Sequence, residues 1–398
     1  MRLLIMFFSM FFFFQHISFG IVASSDFPYG LNEEDLSVFL MKEMRDDFKE
    51  DIASEECIKV EKLDGGGVST QQLFKAKIIG ACLVENKDKK LIIKEVSSKN
   101  TSEIENLKFV KKNKDFEKLP KDIQIVLPIG IYRVDGYGVV LNEENSVESP
   151  EVMVGVGGYI DSEDPEYIDS ENAGYIDSAD AEAFGKNETE QARPPLNDWI
   201  YFEIMEQAEG KEISKIFMDN YPDVNNDKNQ ETIKAYAKAL AILHHTFMDV
   251  GSIPTSNEVI NLSTDKLYYY KTFVHEDAHW GNLFYDPDNG VVRFIDNEGF
   301  ASALKRKATI LIDLYRVVFY STSKFGHCRD IRYDAGKCDY SIEIGAQILK
   351  HYIENYPNED QEKLRAYIKK YMLFYAAQNK MLMDNVAVEK WKKTLEML

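Results

Sequence analysis

The sequence predicts an α+β fold with a strand-rich N-terminal part and a mostly helical C-terminal part. Three observations carry this. Short apolar runs of strand length, separated by turns, recur between Ile58 and Glu206. From Glu231 onward, long segments place apolar residues at helical spacing. Between Val274 and Phe300 the helical half is interrupted by two strand-like runs around a Pro287-Asp288-Asn289-Gly290 turn. A length of 398 residues suits one two-lobed domain or two ordinary ones.

At the N-terminus, Met1-Arg2 precedes an apolar run from Leu3 to Phe14, broken only by Ser9 and followed by the small residues Gly20, Ala23 and Ser24. A positive start, an apolar stretch and a cleavage-like region predict a signal peptide over 1–24, hence a secreted or exported chain for which delivery to a host is one route. An uncleaved anchor is the weaker alternative, because the run falls short of the ~20 residues that span a bilayer. No later stretch is apolar enough to span, so no stable membrane insertion is expected after removal of the signal. Export permits disulfides, and Cys57, Cys82, Cys328 and Cys338 allow three pairings. Cys328 and Cys338 share one polar loop and are the expected pair; their spacing is a poor zinc pattern. Asn100, Asn187 and Asn261 head glycosylation triplets.

Residues 25–57 read as a helical extension, with Leu31 to Ala53 periodic and Asn32 as its N-cap. Residues 58–208 carry the strands. Ile58 to Leu63 leads into Gly65, Gly66, Gly67 and Ser69, where glycines permit close backbone approach to a phosphate. Cys82 to Val84 and Lys90 to Val96 read as strands, the second carrying Lys94. Thr101 to Lys114 reads as a helix with Ile104, Leu107 and Val110 on one face, and either Glu103 or Glu105 can meet Lys94. Ile123 to Leu141 supplies two further strand candidates, and Asp198 to Gly210 returns to strand character.

The formal charge of −20 bears little on partners once it is located. Asn142 to Ala192 holds −14 of it, leaving −6 for the remainder. Within residues 142–195, Tyr-Ile-Asp-Ser recurs from Tyr159, Tyr167 and Tyr175 at a period of eight. Such charge density opposes a packed core, so this acidic insert is expected to be disordered. Tyrosines beside acids are candidate phosphorylation sites, with phosphotyrosine-reading proteins as partners; a loop grown by duplication is the plainer alternative. No basic, aromatic-laced stripe is present, which excludes nucleic acid as an expected partner.

Residues 209–398 form the helical part. Glu231 to Phe247 is amphipathic, with His244 as a packing residue. Thr309 to Tyr320, containing Asp313, and Ser341 to Tyr356, Glu359 to Tyr375 and Val388 to Leu398 are further helices. The hairpin among them carries chemistry. His275-Glu276-Asp277-Ala278-His279-Trp280-Gly281-Asn282 precedes its first strand, and Ile295-Asp296-Asn297-Glu298 closes its second. Two carboxylates and an amide thereby converge at its open end. That suits phosphoryl transfer, which needs a positioned hydroxyl, a hard cation held by oxygen and neutralised phosphate charge.

These strings resemble the H-x-D-x-H-x-x-N and I-D-[FW]-E segments of the aminoglycoside phosphotransferase and choline kinase families, within the protein-kinase-like superfamily. The resemblance implies a two-lobed fold with a small antiparallel N-lobe plus one helix, and a helical C-lobe. It implies transfer of the ATP γ-phosphate to a hydroxyl of an amino-alcohol, sugar or aminoglycoside-like acceptor, with Mg²⁺. Asp277 would orient and deprotonate the acceptor, His279 would lie near it, and His275 would be a scaffold residue of the loop. Asn282 and Asp296 would ligate Mg²⁺. Gly66, Gly67 and Ser69 match the families' nucleotide loop, with Thr70 in place of its Asn. Lys94 would meet the phosphates, held by Glu103, which the family register favours. Backbone groups from Glu206 to Ala208 would hold adenine. Asp313 would support the loop. Asn297 replaces an aromatic, a change expected to alter positioning without touching the metal ligand. The alternatives are a secreted kinase acting on proteins, perhaps a host's, and a weakly active scaffold recruiting partners through its tyrosines.

Overall fold

In the computed structural model the chain is mixed α+β, with an antiparallel sheet in its N-terminal part. Residues 32–48, 55–63, 70–96, 101–134, 140–142, 200–254, 269–301, 308–328, 333–356, 358–378 and 385–398 are described. The signal-peptide segment, most of the acidic insert with its three repeats, and the glycosylation triplets' asparagines lie outside them.

Six strands form the main sheet in the order β1-β2-β3-β7-β5-β6. They are β1 (Ile58–Leu63), β2 (Thr70–Ile78), β3 (Lys89–Val96), β5 (Gly130–Val134), β6 (Val140–Asn142) and β7 (Ile200–Glu206). Successive strand side chains alternate between faces, and each face here has its own helix. On one face Leu91, Ile93, Phe202 and Ile204 pack with Leu36, Phe39 and Leu40 of α1 (Glu33–Glu43). As expected, Asn32 caps α1, accepting from the Asp35 amide at 2.9 Å. On the other face Val96 and Ile131 pack with Ile104 and Leu107 of α2 (Thr101–Lys111). Lys94 has the parity of Val96 and so shares the α2 face.

The segment expected to supply two strands supplies three, and one leaves the main sheet. β4 (Ile123–Ile125) pairs in parallel with β11 (Val291–Phe294), and Ile123 joins the core of the helical part. β11 pairs antiparallel with β10 (Leu283–Asp286), and β10 with β8 (Lys211–Glu212). The hairpin is therefore clamped between segments from both halves of the chain. Gly210 makes the close approach to it: its φ is +92°, and a Cβ there would stand 2.4 Å from the Tyr285 carbonyl oxygen.

Cys82 to Val84 is not the expected strand. Gly80–Cys82 is a 3₁₀ turn, with the Gly80 amide donating to Asp88 at 2.7 Å and Leu83 bridging to Phe48. Cys82 bonds to Cys57, just before β1, and that link favours a turn over an extended run. Cys328 and Cys338 form the second disulfide.

The helical part comprises α3 (Ile213–Asp219), α4 (Asp227–Thr246), α5 (Leu311–Tyr315), a π turn (Arg316–Tyr320), α6 (Ser321–Phe325), α7 (Ala335–Glu354), α8 (Asn358–Gln378) and α9 (Asn385–Met397). Their apolar faces share one core that includes Tyr236, Leu240, Trp280, Ile348 and Trp391. Strands β9 (Lys271–Thr272) and β12 (Ala308–Thr309) pair beside it. No helix among the described residues is long and apolar enough to cross a membrane.

Candidate functional site

The centre of the site is a lysine in a nearly closed space. Lys94 lies on β3, and its Nζ sits 2.5 Å from Glu103 Oε1, 2.9 Å from Asp296 Oδ1 and 3.6 Å from Glu203 Oε1. Burial alone would lower its pKa, but Glu203 and Asp296 outweigh that and hold the ammonium firmly protonated. Of the two acids on the helix that sequence left open, Glu103 is the partner. Glu105 instead pairs with Lys108 at the surface.

Sequence reasoning missed Glu203. It lies in register opposite Lys94 on β7, is 2 % exposed, and its Oε2 has no hydrogen-bond partner. Burial pushes its carboxyl up to about 8 despite the lysine. The signal was a lone acid between Phe202 and Ile204 in an apolar strand. Asp296 is shifted the other way: burial would raise it, yet Lys94 holds its carboxyl below the ordinary range. Its backbone is left-handed at φ 61°, which turns the chain sharply out of β11. Glu298, two residues on, is pushed up to about 7 by burial and by Asp296.

Carboxylate oxygens of Glu103, Asp296 and Glu298 lie within 4.8 Å of one another. Asn282, just before β10, is adjacent to Asp296, since the Ile295 amide donates to the Asn282 carbonyl at 3.0 Å. Its Nδ2 donates to the Asp277 Oδ2 at 3.0 Å and carbonyl at 3.1 Å, leaving Oδ1 free of hydrogen bonds among the described residues. An all-oxygen donor set of this kind suits a hard divalent cation such as Mg²⁺.

The loop holding Asp277 is fixed from below by Asp313, which is fully buried in α5. Asp313 Oδ2 accepts the His275 amide at 2.7 Å and Oδ1 the Glu276 amide at 2.8 Å. His244, in turn, bonds to Asp313 at 3.0 Å and to the Tyr352 hydroxyl at 2.7 Å. His275 Nε2 lies 2.8 Å from the Ile295 carbonyl, tying the loop to the end of β11. His275 and His244 are thus structural members of the site, and Asp277, 40 % exposed at its side chain, is the carboxylate the loop presents.

His279 faces that carboxylate. Its Nδ1 accepts the Gly281 amide at 3.0 Å, so the ring proton sits on Nε2, 3.7 Å from Asp277 Oδ2. Burial pulls its pKa down to about 4 against the pull of Asp277, so the ring is neutral at pH 7. Arg316, Tyr320 and Lys324 complete this side; sequence periodicity had no means of bringing them here.

Asn297 is buried, and its Nδ2 donates to the Val126 carbonyl at 2.6 Å and the Phe294 carbonyl at 3.0 Å. The polar side chain therefore links the end of β4 to β11 through two donated hydrogen bonds. At the other end of β7, Glu206 is exposed and the Gln207 amide donates to the Lys90 carbonyl at 2.8 Å. Ala208 follows outside any regular element. Gly66, Gly67 and Ser69 lie outside the described residues. The structure thus brings Lys94, Glu103 and Asp296 into one cluster and Asp277, His279 and Asn282 into an adjoining one, with His275 beneath. No protein-family model matches this chain, and no curated protein does either.

Proposed function

We propose that the chain is an ATP- and Mg²⁺-dependent phosphotransferase of the two-lobed, protein-kinase-like fold, moving the ATP γ-phosphate to a hydroxyl of a small molecule. One observation carries the reading. A lysine from β3, a glutamate from α2 and an aspartate beyond β11 meet within hydrogen-bond distance, beside a second aspartate bonded to an asparagine. A structural ion pair needs no such convergence with Asp277 and Asn282, whereas a nucleotide-phosphate site does.

Lys94, already protonated, neutralises phosphate charge, and Glu103 keeps its ammonium in place. Asn282 and Asp296 offer the oxygens that would hold Mg²⁺, which when bound would supply positive charge to offset that of the phosphates. Asp277 accepts the acceptor's hydroxyl proton while the acceptor oxygen bonds to the γ-phosphorus. The bond from that phosphorus to the β,γ-bridging oxygen breaks, and ADP leaves with the electron pair. His279 donates from Nε2 toward the acceptor side of Asp277 and orients the incoming hydroxyl. Gly66, Gly67 and Ser69 serve as the nucleotide flap, and the backbone from Glu206 to Ala208 holds adenine. Export is supported by the N-terminal sequence and by the two disulfides.

The test is Mg²⁺-dependent nucleotide binding and ADP formation by the full chain. The melting temperature is read with and without Mg²⁺ and a non-hydrolysable ATP analogue, then ADP release over an acceptor panel. Lys94→Met and Asp296→Ala are the controls. A wild-type chain with neither a nucleotide-induced shift nor ADP release would sink the reading.

A further inference from the structure

The surface around Asp277 opposite the lysine cluster is built from cations and aromatic rings. Arg316 Nη1 lies 3.5 Å from Asp277 Oδ1, and its Nε donates to the Glu276 carbonyl at 3.1 Å. The rest of the guanidinium fork makes no hydrogen bond among the described residues and keeps donors to offer. Lys324 is exposed and has no ion pair among the described residues. His279 stands 5.5 Å from the Tyr320 ring and 5.9 Å from the Phe325 ring. Beyond burial, His279 feels Asp277 most strongly, then Lys324, the neighbouring His275 and Arg316.

A site for an ammonium-bearing acceptor would show surplus carboxylates or open aromatic faces. Here the aromatic faces are covered by the chain's own cations. Arg316 lies 4.9 Å from the Tyr320 ring centre and 5.8 Å from that of Tyr315. Lys324 lies 5.6 Å from Tyr320 and 5.5 Å from Phe325. On this side the presented aspartate is flanked by two cations, Arg316 and Lys324. An amine entering this patch meets like charge, while a carboxylate or phosphate group meets a guanidinium fork suited to it.

We infer that the acceptor hydroxyl belongs to an anionic small molecule, a hydroxy acid or phosphorylated polyol, whose charged group is taken by Arg316 and Lys324 while its hydroxyl meets Asp277. This rests on the phosphotransferase reading and narrows it, turning away from amino-alcohols and aminoglycosides. Binding of the anion also gives the Arg316 guanidinium a further partner and loosens its hold on Asp277, which is then free to take the proton.

The experiment compares matched acceptors that differ only in charge: gluconate, glucitol and glucamine, then glycerate, glycerol and 3-amino-1,2-propanediol. ADP formation is measured with Mg²⁺-ATP at subsaturating acceptor. The carboxylates are expected to exceed the amines in kcat/KM by about tenfold or more, the scale of one close charge interaction near a surface. Lys324→Glu is expected to reverse that order through KM, and Lys324→Met to flatten it. Nucleotide binding is read separately by the melting shift with Mg²⁺ and the non-hydrolysable analogue. Nucleotide binding together with a preference for the amines, no charge preference, or conversion of none of these compounds overturns the anionic acceptor and leaves the nucleotide site standing. Absence of nucleotide binding instead removes the phosphotransferase reading, and this inference with it.

Discussion

Lys94 and Asp296 are 202 positions apart in sequence, and their side chains meet at 2.9 Å. The contact joins the main sheet to the end of the hairpin, so a change in either residue acts on both. Around it lie three further carboxylates, Glu103, Glu203 and Glu298. One ammonium therefore compensates a group of acids, and the titration of those acids is coupled to folding.

The first prediction concerns pH. Glu203 titrates at about 8 in the folded chain against an ordinary value of 4.5. The folded state thus binds this proton more tightly than the unfolded one. Its contribution to stability is full below 4.5, falls as pH rises and is gone above about 8. Glu298, pushed up to about 7, acts in the same direction. Thermal melts between pH 5 and 9 should show a decline toward the alkaline end that is shallower in Glu203→Gln. Parallel curves for the two proteins would refute the assignment.

Asp277 gives the second prediction. Asp277→Asn preserves an oxygen for the Asn282 Nδ2 and so leaves the loop's hydrogen bond available. It removes the group proposed to accept the hydroxyl proton, a loss worth about 10²–10⁴-fold in turnover. Steady-state kinetics should show that fall in kcat, with the nucleotide-induced melting shift retained. Full activity in this variant would take Asp277 out of the reaction.

The third prediction tests the loop's support. Asp313→Ala removes acceptors from the His275 and Glu276 amides and the partner of His244, all in the buried interior. Leaving such groups unpaired costs about 3–5 kcal/mol. Urea denaturation should report a loss on that scale, far above the change expected from Asp115→Ala, whose side chain pairs with Lys118 at the surface. Equal midpoints for the two variants would contradict the role assigned to Asp313.

How much of this was legible beforehand depended on range. The hairpin announced itself through local turn chemistry, and Asp277, Asn282 and Asp296 followed from spacing along it. A strand and the helix after it made a pairing of Lys94 with either Glu103 or Glu105 legible, and only the family register favoured Glu103. Glu203 was not, because strand pairing fixes its position: only register with β3 sets it opposite Lys94. β4 read as one more strand of the main sheet because sequence says nothing of which edge a short strand joins. Arg316 and Tyr320 were hidden by the π turn from Arg316 to Tyr320, whose wider hydrogen bonding rotates the following side chains off the 3.6-residue pattern. Asn297 looked like a flaw in a motif, and only the Val126 carbonyl across from it explains the amide.

The two disulfides yield the last prediction, which separates loop length from location. Cys57 and Cys82 are separated by 25 residues, Cys328 and Cys338 by 10. Closing the longer loop removes more freedom from the unfolded chain, about 3.5 kcal/mol against about 2.7 kcal/mol on the chain-entropy estimate. Location widens the gap. The first bond ties the start of β1 to the turn after β2, beside the core that α1 shares with β3, whereas the second closes a loop before α7. Cys57→Ser/Cys82→Ser should therefore lose more stability than Cys328→Ser/Cys338→Ser, as read by urea midpoints under non-reducing conditions. The first pair links the ends of β1 and β2 at one edge of the sheet that carries Lys94, so its loss should also weaken the nucleotide-induced melting shift. The second pair lies apart from that sheet, in the helical part, and its loss should leave the nucleotide-induced melting shift in place. If the shorter loop proves the more costly to open, chain entropy is not what these bonds contribute.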